Sequence, residues 1–192
     1  MRYRRQCRRI SYNRPWRSAL PYSADLLSRR LTELGVATTT AEHPPLRTVE
    51  DSKRLRGELA GGHVKNLFLR DKRRRFWLLT TLEDATVDLK AMAVRLGAGK
   101  FSFANAEELA RALGIEPGAV SPFAVINDVE RDVTVVLDQA MLDVTPLNFH
   151  PLRNDRTTTI ASRDLLRFLE ACAHPPLVIR FAEVKTPAGT AV

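Results

Sequence analysis

The chain is poor in cysteine and histidine, and it lacks the short motifs that mark nucleotide- or metal-dependent enzymes. Its two cysteines, Cys7 and Cys172, lie far apart, which excludes a disulfide framework and a CxxC metal site. That usage fits a cytoplasmic protein. The four histidines, His43, His63, His150 and His174, are isolated from one another, and there is no HExxH, so neither a metal nor a cofactor is expected. No GxGxxG and no GxxxxGK followed by Ser or Thr occurs, which leaves a phosphate-cradling glycine loop unsupported. The absence of GxSxG, and of a catalytic setting for either cysteine, argues against a standard covalent nucleophile. No apolar run approaches the roughly 18 residues of a membrane helix. The Arg-rich start has no secretory apolar stretch behind it, so no signal peptide is expected. There are no repeats, no low-complexity segments and no linker long enough to split the body.

What is present is ordinary for one globular domain: 192 residues, 44% apolar and 27% charged. The net charge of +8 is not ordinary, and it is unevenly placed. Seven arginines and no acidic residue fall in residues 1–20, which leaves the rest of the chain at a net of only +1. Residues 1–21 therefore read as a basic, disordered tail, either solvated or in contact with nucleic acid. The body is expected over residues 22–183, with 184–192 frayed.

Local pattern gives the elements. Ser23 caps a helix whose apolar stripe is Leu26, Leu27, Leu31 and Leu34, stopped at Gly35. A Thr-rich strand follows over 36–42 and is broken by His43-Pro44-Pro45. Thr48 to Asp51 signals a short helix to about Leu59, ended by Gly61-Gly62. Residues 64–70 and 76–82 read as a hairpin. Leu89, Met92, Ala93 and Leu96 carry a helix, and Asn105 with Glu108 caps another that ends at Gly114. Residues 123–127 and 133–138 are expected to pair as strands, 157–160 is a further strand, and 177–181 is the last. A helix over 162–173 turns Leu165, Leu166 and Leu169 inward, with Ser162 as its N-cap. The mixture of helices and hairpin-type strands predicts an α+β fold with about seven strands and five helices.

Four polar features break this pattern. Lys65 and Asn66 open an apolar strand; a lysine there either snorkels to the surface or faces an anionic or ester group at a pocket mouth. Gly118-Ala119-Val120-Ser121-Pro122, preceded by Glu116-Pro117, is either a plain helix-to-strand connection or a stiff turn presenting main-chain N–H groups to an oxyanion. His150, in Asn148 to Asn154, is either a hydrogen-bonded structural histidine or one that orients water or substrate. Thr157, Thr158 and Thr159 are good strand formers.

Taken in order, these segments resemble one family. Gly61 to Asp71, Val87 to Lys90, Leu96 to Phe103, Gly114 to Phe123 and Asn148 to Asn154, with His43-Pro44-Pro45 ahead of them, are similar to the YbaK and prolyl-tRNA synthetase-associated editing domains. The nearest likeness is to free-standing members that deacylate alanyl-tRNA bearing a proline anticodon. The resemblance runs from about Asp25 to Phe181 and leaves out residues 1–20. It implies a compact mixed sheet, partly barrel-like and flanked by helices, and a pocket for the aminoacyl end of a tRNA. It implies catalytic roles for Lys65, Gly118 and His150, and substrate binding by Asn66, Ala119, Val120, Ser121, Pro122 and Asn154. Lys100 and Arg153 are candidates for tRNA phosphates. The expected partner is the acceptor end of proline tRNA, with a contact to prolyl-tRNA synthetase open, no membrane, and a monomer or weak homodimer. The expected activity is hydrolysis of a mischarged alanyl ester. Deacylation of a cysteinyl, seryl or threonyl ester is the rival within the family. A non-catalytic module that docks on tRNA or a synthetase is the rival outside it.

Overall fold

Strand β2 (Gly62–Arg70) organises the protein, because three other strands pair with it. In the computed structural model, which describes residues 21–45 and 59–181, β2 runs antiparallel to β3 (Phe76–Leu82), with Val64 opposite Leu82 and Arg70 opposite Phe76. Its first residues pair in parallel with β6 (Leu147–Phe149), and its last pair with β4 (Ser102–Phe103). With β1 (Thr38–Glu42), β5 (Val133–Asp138), β7 (Arg156–Ile160) and β8 (Leu177–Ile179), the order is β1-β7-β6-β2-β3-β5-β8, with β4 beside β2. Among the described residues there are eight strands and five α-helices, a mixed sheet in one α+β domain.

The double glycine makes the parallel pairing possible. Gly61 sits at φ +107, and a Cβ there would lie 2.5 Å from the Pro146 carbonyl oxygen. A Cβ on Gly62 would meet Val144 at 2.9 Å and Leu147 at 3.0 Å. Only a chain without side chains at both positions can press this close and still let Gly62 N–H donate to Pro146 O at 2.9 Å.

The two faces of the sheet follow from strand alternation. On one face, Val64, Phe68, Phe76, Leu78, Val135, Leu137, Leu147, Phe149 and Ile160 pack with the helices into the main core. Helix α1 (Ala24–Glu33) contributes Leu27 and Leu31, α3 (Ala106–Leu113) contributes Leu109 and Leu113, and α5 (Ser162–Ala171) contributes Leu165, Phe168 and Leu169. Phe123 lies at the centre, edge-on to Phe149 and Phe168 with ring centroids 5.7 and 5.4 Å away. On the opposite face, Leu69, Trp77, Leu79 and Val136 pack with Met92 and Ala93 of α2 (Leu89–Arg95), Phe101 and Phe181. Burial on both faces is why β2 and β3 read as continuous apolar runs. A short α4 (Gln139–Leu142) follows β5, capped by the Asp138 carboxylate on Ala140 N–H at 3.1 Å.

The helix signals work as expected in two places. Ser23 Oγ accepts from Leu26 N–H at 3.2 Å, and Asn105 with Glu108 forms a reciprocal capping box closed at Gly114, φ +63. Other expectations are corrected. Residues 123–127 do not form a strand: Pro122–Ile126 is a 3-10 turn, and β5 pairs in parallel with β3 and β8 instead. Pro122 lacks an N–H for a ladder and presets the φ of a first helical turn, and all five residues are buried in the core. Ser162 is not the N-cap of α5. Ala161 holds that position, and Ser162 Oγ donates to the Val144 carbonyl. Leu26 leaves the stripe of α1 and stands 43% exposed. Residues 162–173 and 177–181 shorten to α5 and β8, while β4, β6 and α4 were not anticipated. The expected basic tail, the helix over Thr48 to Leu59 and the C-terminal tail lie outside the described residues, Pro21 and Leu59 excepted. No helix among the described residues is long and apolar enough to cross a membrane.

Candidate functional site

Where β1, β7 and β6 continue the sheet, its second face turns from apolar to polar. Thr39 pairs with Thr159, Thr159 with Asn148, and Asn148 with His63, so these four stand in one row across four strands. Asn148 joins the row internally: its Oδ1 accepts from Thr159 Oγ1 at 2.7 Å, and its Nδ2 donates to Ala60 O at 3.1 Å. Two residues away, after Asn148 and His63 and before Thr159, alternation brings His150, Lys65 and Thr157 to the same face.

His150 is held from its rear. Its Nδ1 lies 2.9 Å from the Arg156 carbonyl, which can only accept, so Nδ1 carries the proton and Nε2 of the neutral ring is the acceptor. Burial pushes the pKa of His150 down, the Arg156 carbonyl partly opposes this, and His43 lowers it further; the net direction is down from 6.5. The two rings are 6.2 Å apart. His43 is fixed in the same tautomer, with Nδ1 2.9 Å from Pro44 O and Nε2 3.0 Å from Thr157 Oγ1.

The glycine turn closes on this group. Ser121 is fully buried, and its hydroxyl donates to the His150 carbonyl at 2.7 Å. Gly118 is at φ +91, and a Cβ there would sit 3.3 Å from Asn154 Nδ2. Ala119 N–H donates to Glu116 O at 3.2 Å, whereas the N–H groups of Gly118, Val120 and Ser121 have no acceptor among the described residues. The side chains of Ala119, Val120 and Pro122 belong to the core, so this turn offers main chain rather than side chain.

Lys65 joins the site through strand register, not through a contact. It is half-buried, and its ammonium donates to the Ala85 carbonyl in the loop after β3. Opposite it, Thr81 donates to the buried Asp138 carboxylate at 2.6 Å. Asn66 takes the other face of β2, where its Oδ1 accepts from Thr80 at 2.9 Å. Lys100 is exposed near the β2–β3 turn, away from this group. Arg153 is clasped to Asp155 by two nitrogens, and that hydrogen bond holds the Asp155 carboxyl down at about 2. Thus Ser121 is joined to His150 and Gly118 to Asn154, Lys65 is related to them by strand register alone, and Asn66, Lys100 and Arg153 do not join them. His43, Asn148, Thr157 and Thr159 are the additions that sequence reasoning did not place. His43-Pro44-Pro45 carried a signal for the first. A small cleft of about 170 Å3 lies on the opposite side of β7, between it and α1, and holds the Arg156 side chain rather than any of these groups.

Residues 43–168 match the aminoacyl-tRNA editing domain. The chain belongs to that family. The match contains every residue of the polar group except Thr39. The chain is 38% identical over 157 residues to prolyl-tRNA synthetase associated domain-containing protein 1 of Danio rerio, covering 81% of this chain and 85% of that one. It is 36% identical over 143 residues to the prolyl-tRNA editing protein ProX of Acetoanaerobium sticklandii, covering 74% and 87%. Its fold is shared with a solved structure described as a candidate trans-editing enzyme for prolyl tRNA synthetase, at a TM-score of 0.65 and 20% identity, over 85% of this chain and 99% of that one.

Proposed function

We propose that this editing domain is a trans-acting deacylase that hydrolyses the ester of alanine mischarged on proline tRNA. The observation that supports the reading is the 118–121 turn anchored on His150 through Ser121, beside the sheet whose strand β2 carries Lys65, all inside the segment that matches the editing family. The ProX relative, named for prolyl-tRNA editing, supports the choice of tRNA.

An aminoacyl ester is already activated, so water can serve as nucleophile and the protein need supply only position and charge stabilisation. Water attacks the ester carbonyl, and the resulting oxyanion is taken by the free N–H groups of the 118–121 turn. The intermediate collapses by breaking the bond to the ribose oxygen, releasing alanine and tRNA. The neutral Nε2 of His150 accepts a hydrogen bond from the water or from a ribose hydroxyl, and the ribose 2′-hydroxyl assists in activating the water. Lys65, with two donors left beyond its bond to Ala85, holds the ester or terminal phosphate region as a cation, not as a base. A proline-activating pocket rejects the smaller alanine by only about 1–3 kcal/mol, so a second, smaller site that admits alanine and excludes proline restores fidelity.

Purified protein incubated with a panel of aminoacyl-tRNAs tests this directly. The expected result is loss of ester from alanyl-tRNA bearing a proline anticodon, with cysteinyl, seryl, threonyl and prolyl esters spared. In the Lys65→Ala variant deacylation should fall at least a thousandfold while the thermal midpoint stays. Full turnover in that variant removes Lys65 from the mechanism. Tight tRNA binding without hydrolysis of any ester would favour a docking module instead.

A further inference from the structure

At the far end of β2 from Lys65, the β2–β3 turn and the loop ahead of β4 enclose a second cleft of about 410 Å3, lined by Lys72, Arg74, Lys100, Phe101 and Ser102 among others. The turn is built rather than loose. Asp71 is buried, and its carboxylate accepts from Arg73 N–H at 2.8 Å, Arg75 N–H at 3.0 Å and Arg75 Nε at 2.7 Å. Arg74 holds φ +62 and donates its N–H to Asp71 O. The neighbouring loop is stitched on: Arg75 Nη2 donates to Gly97 O at 3.2 Å, and a Cβ on Gly99 would lie 3.2 Å from that of Lys72.

The charges in this cleft do not cancel. Asp71 is spent on Arg75, and Arg70 on Glu108. Lys72, Arg73, Arg74 and Lys100 are exposed and form no ion pair with a described residue. Next to Ser102, the ring of Phe103 is 64% exposed. A cluster of exposed cations around a concave polar surface, with an open aromatic beside it, is the pattern that suits a sugar-phosphate backbone. The cleft lies at the end of β2, where Phe101 of its lining packs with Leu67 and Leu69 on the face of Lys65 and Arg70 belongs to the other face. Five residues of strand separate Lys65 from Arg70, about 17 Å at roughly 3.3 Å per residue, or the length of about five stacked nucleotides at roughly 3.4 Å each.

The geometry points to this cleft as the grip for the RNA backbone that leads into the acceptor end, with Lys72, Arg74 and Lys100 on successive phosphates. This inference rests on the editing reading, and it adds a surface that the hydrolytic chemistry does not use. The test replaces all three cations and keeps the turn: Lys72→Gln, Arg74→Asn and Lys100→Gln, with Asn chosen because it tolerates a positive φ. Fluorescence anisotropy with uncharged proline tRNA is followed from 50 to 200 mM salt, beside kcat/KM on alanyl-tRNA and on a short alanyl-adenosine ester that lacks the stem. The expected result is at least tenfold weaker binding and a salt slope reduced by about 2–3, at roughly 0.9 per phosphate for a duplex. Deacylation of the full tRNA should fall with it, and that of the short ester should not. An Arg163→Ala control on α5 should change nothing. Affinity and slope within twofold of the unaltered protein would overturn the cleft and leave the editing reading standing. Absence of both tRNA binding and ester hydrolysis in the unaltered protein would overturn both.

Discussion

Replacing Gly61 with alanine is the sharpest test of how the site is positioned. Three effects add at this residue. A backbone at φ +107 lies beyond the ordinary left-handed well, and such a conformation costs a residue with a Cβ about 1–2 kcal/mol. The added methyl would lie 2.5 Å from the Pro146 carbonyl oxygen, which belongs to main chain and cannot rotate aside. Relieving that overlap is an overpacking cost of about 1–3 kcal/mol. It also disturbs the Gly62 N–H to Pro146 O hydrogen bond, a net contribution of about 1 kcal/mol. The total, about 3–6 kcal/mol, is a large share of the roughly 5–15 kcal/mol by which domains are stable. At about 2–4 °C per kcal/mol for a chain of this size, the thermal midpoint should fall by about 6–24 °C. Gly97 is the internal control, since it has φ +60 but nothing within 4 Å of its missing Cβ, so Gly97→Ala should cost only about 1 kcal/mol. Urea unfolding of both variants measures the difference. Equal midpoints for the two would refute the claim that close approach to Pro146, rather than backbone conformation alone, requires the double glycine.

Two further outcomes concern titration. Because the pKa of His150 is held below its unfolded value, the folded protein resists protonation there. Its contribution to stability is therefore constant above about pH 6.5 and turns unfavourable as pH falls below that, where the unfolded chain binds the proton first. Unfolding free energy measured from pH 8 to 5 should decline below 6.5 in the parent and decline less in His150→Asn, and kcat/KM should show no inflection at 6.5 from this group. Burial raises the Asp128 carboxyl, but hydrogen bonds from His174, Val133 N–H and Asp132 N–H outweigh it and leave the pKa below 3.8. That group stabilises the fold above about pH 4, and the stability is lost as pH falls through the lower folded value. Asp128→Asn should flatten the acid limb of a pH-denaturation curve; an unchanged limb would show that another carboxylate governs it.

What could be read ahead of the structure was whatever a short window encodes. The Asn105–Glu108 capping box, the Ser23 cap and the β2–β3 hairpin each depend on residues within one element. The misses have a different cause. β6 is three residues long, too short for a period of two to register, yet it carries Asn148 and leads directly into His150. Residues 123–127 are apolar enough for a strand, but Pro122 ahead of them and the packing of Phe123 between Phe149 and Phe168 decide for a 3-10 turn. The editing resemblance supplied Lys65, Gly118 and His150 as a set but not their partners. His43 meets Thr157 across 114 residues of chain, a proximity that only sheet order creates. The same order separates neighbours: Asn66, one residue from Lys65, belongs to the core side with Thr80.

That separation has a consequence for how this strand can vary. Lys65 and Asn66 answer to two different environments across a single peptide bond, and β2 is pinned at its start against Pro146 and at its end beside Ser102. Deleting one residue between the second glycine and the lysine would put the Asn66 amide where the ammonium belongs, inserting one would put Val64 there, and either would turn the cation toward the core face. In this protein the strand can therefore change its residues more readily than the count from the second glycine to the lysine.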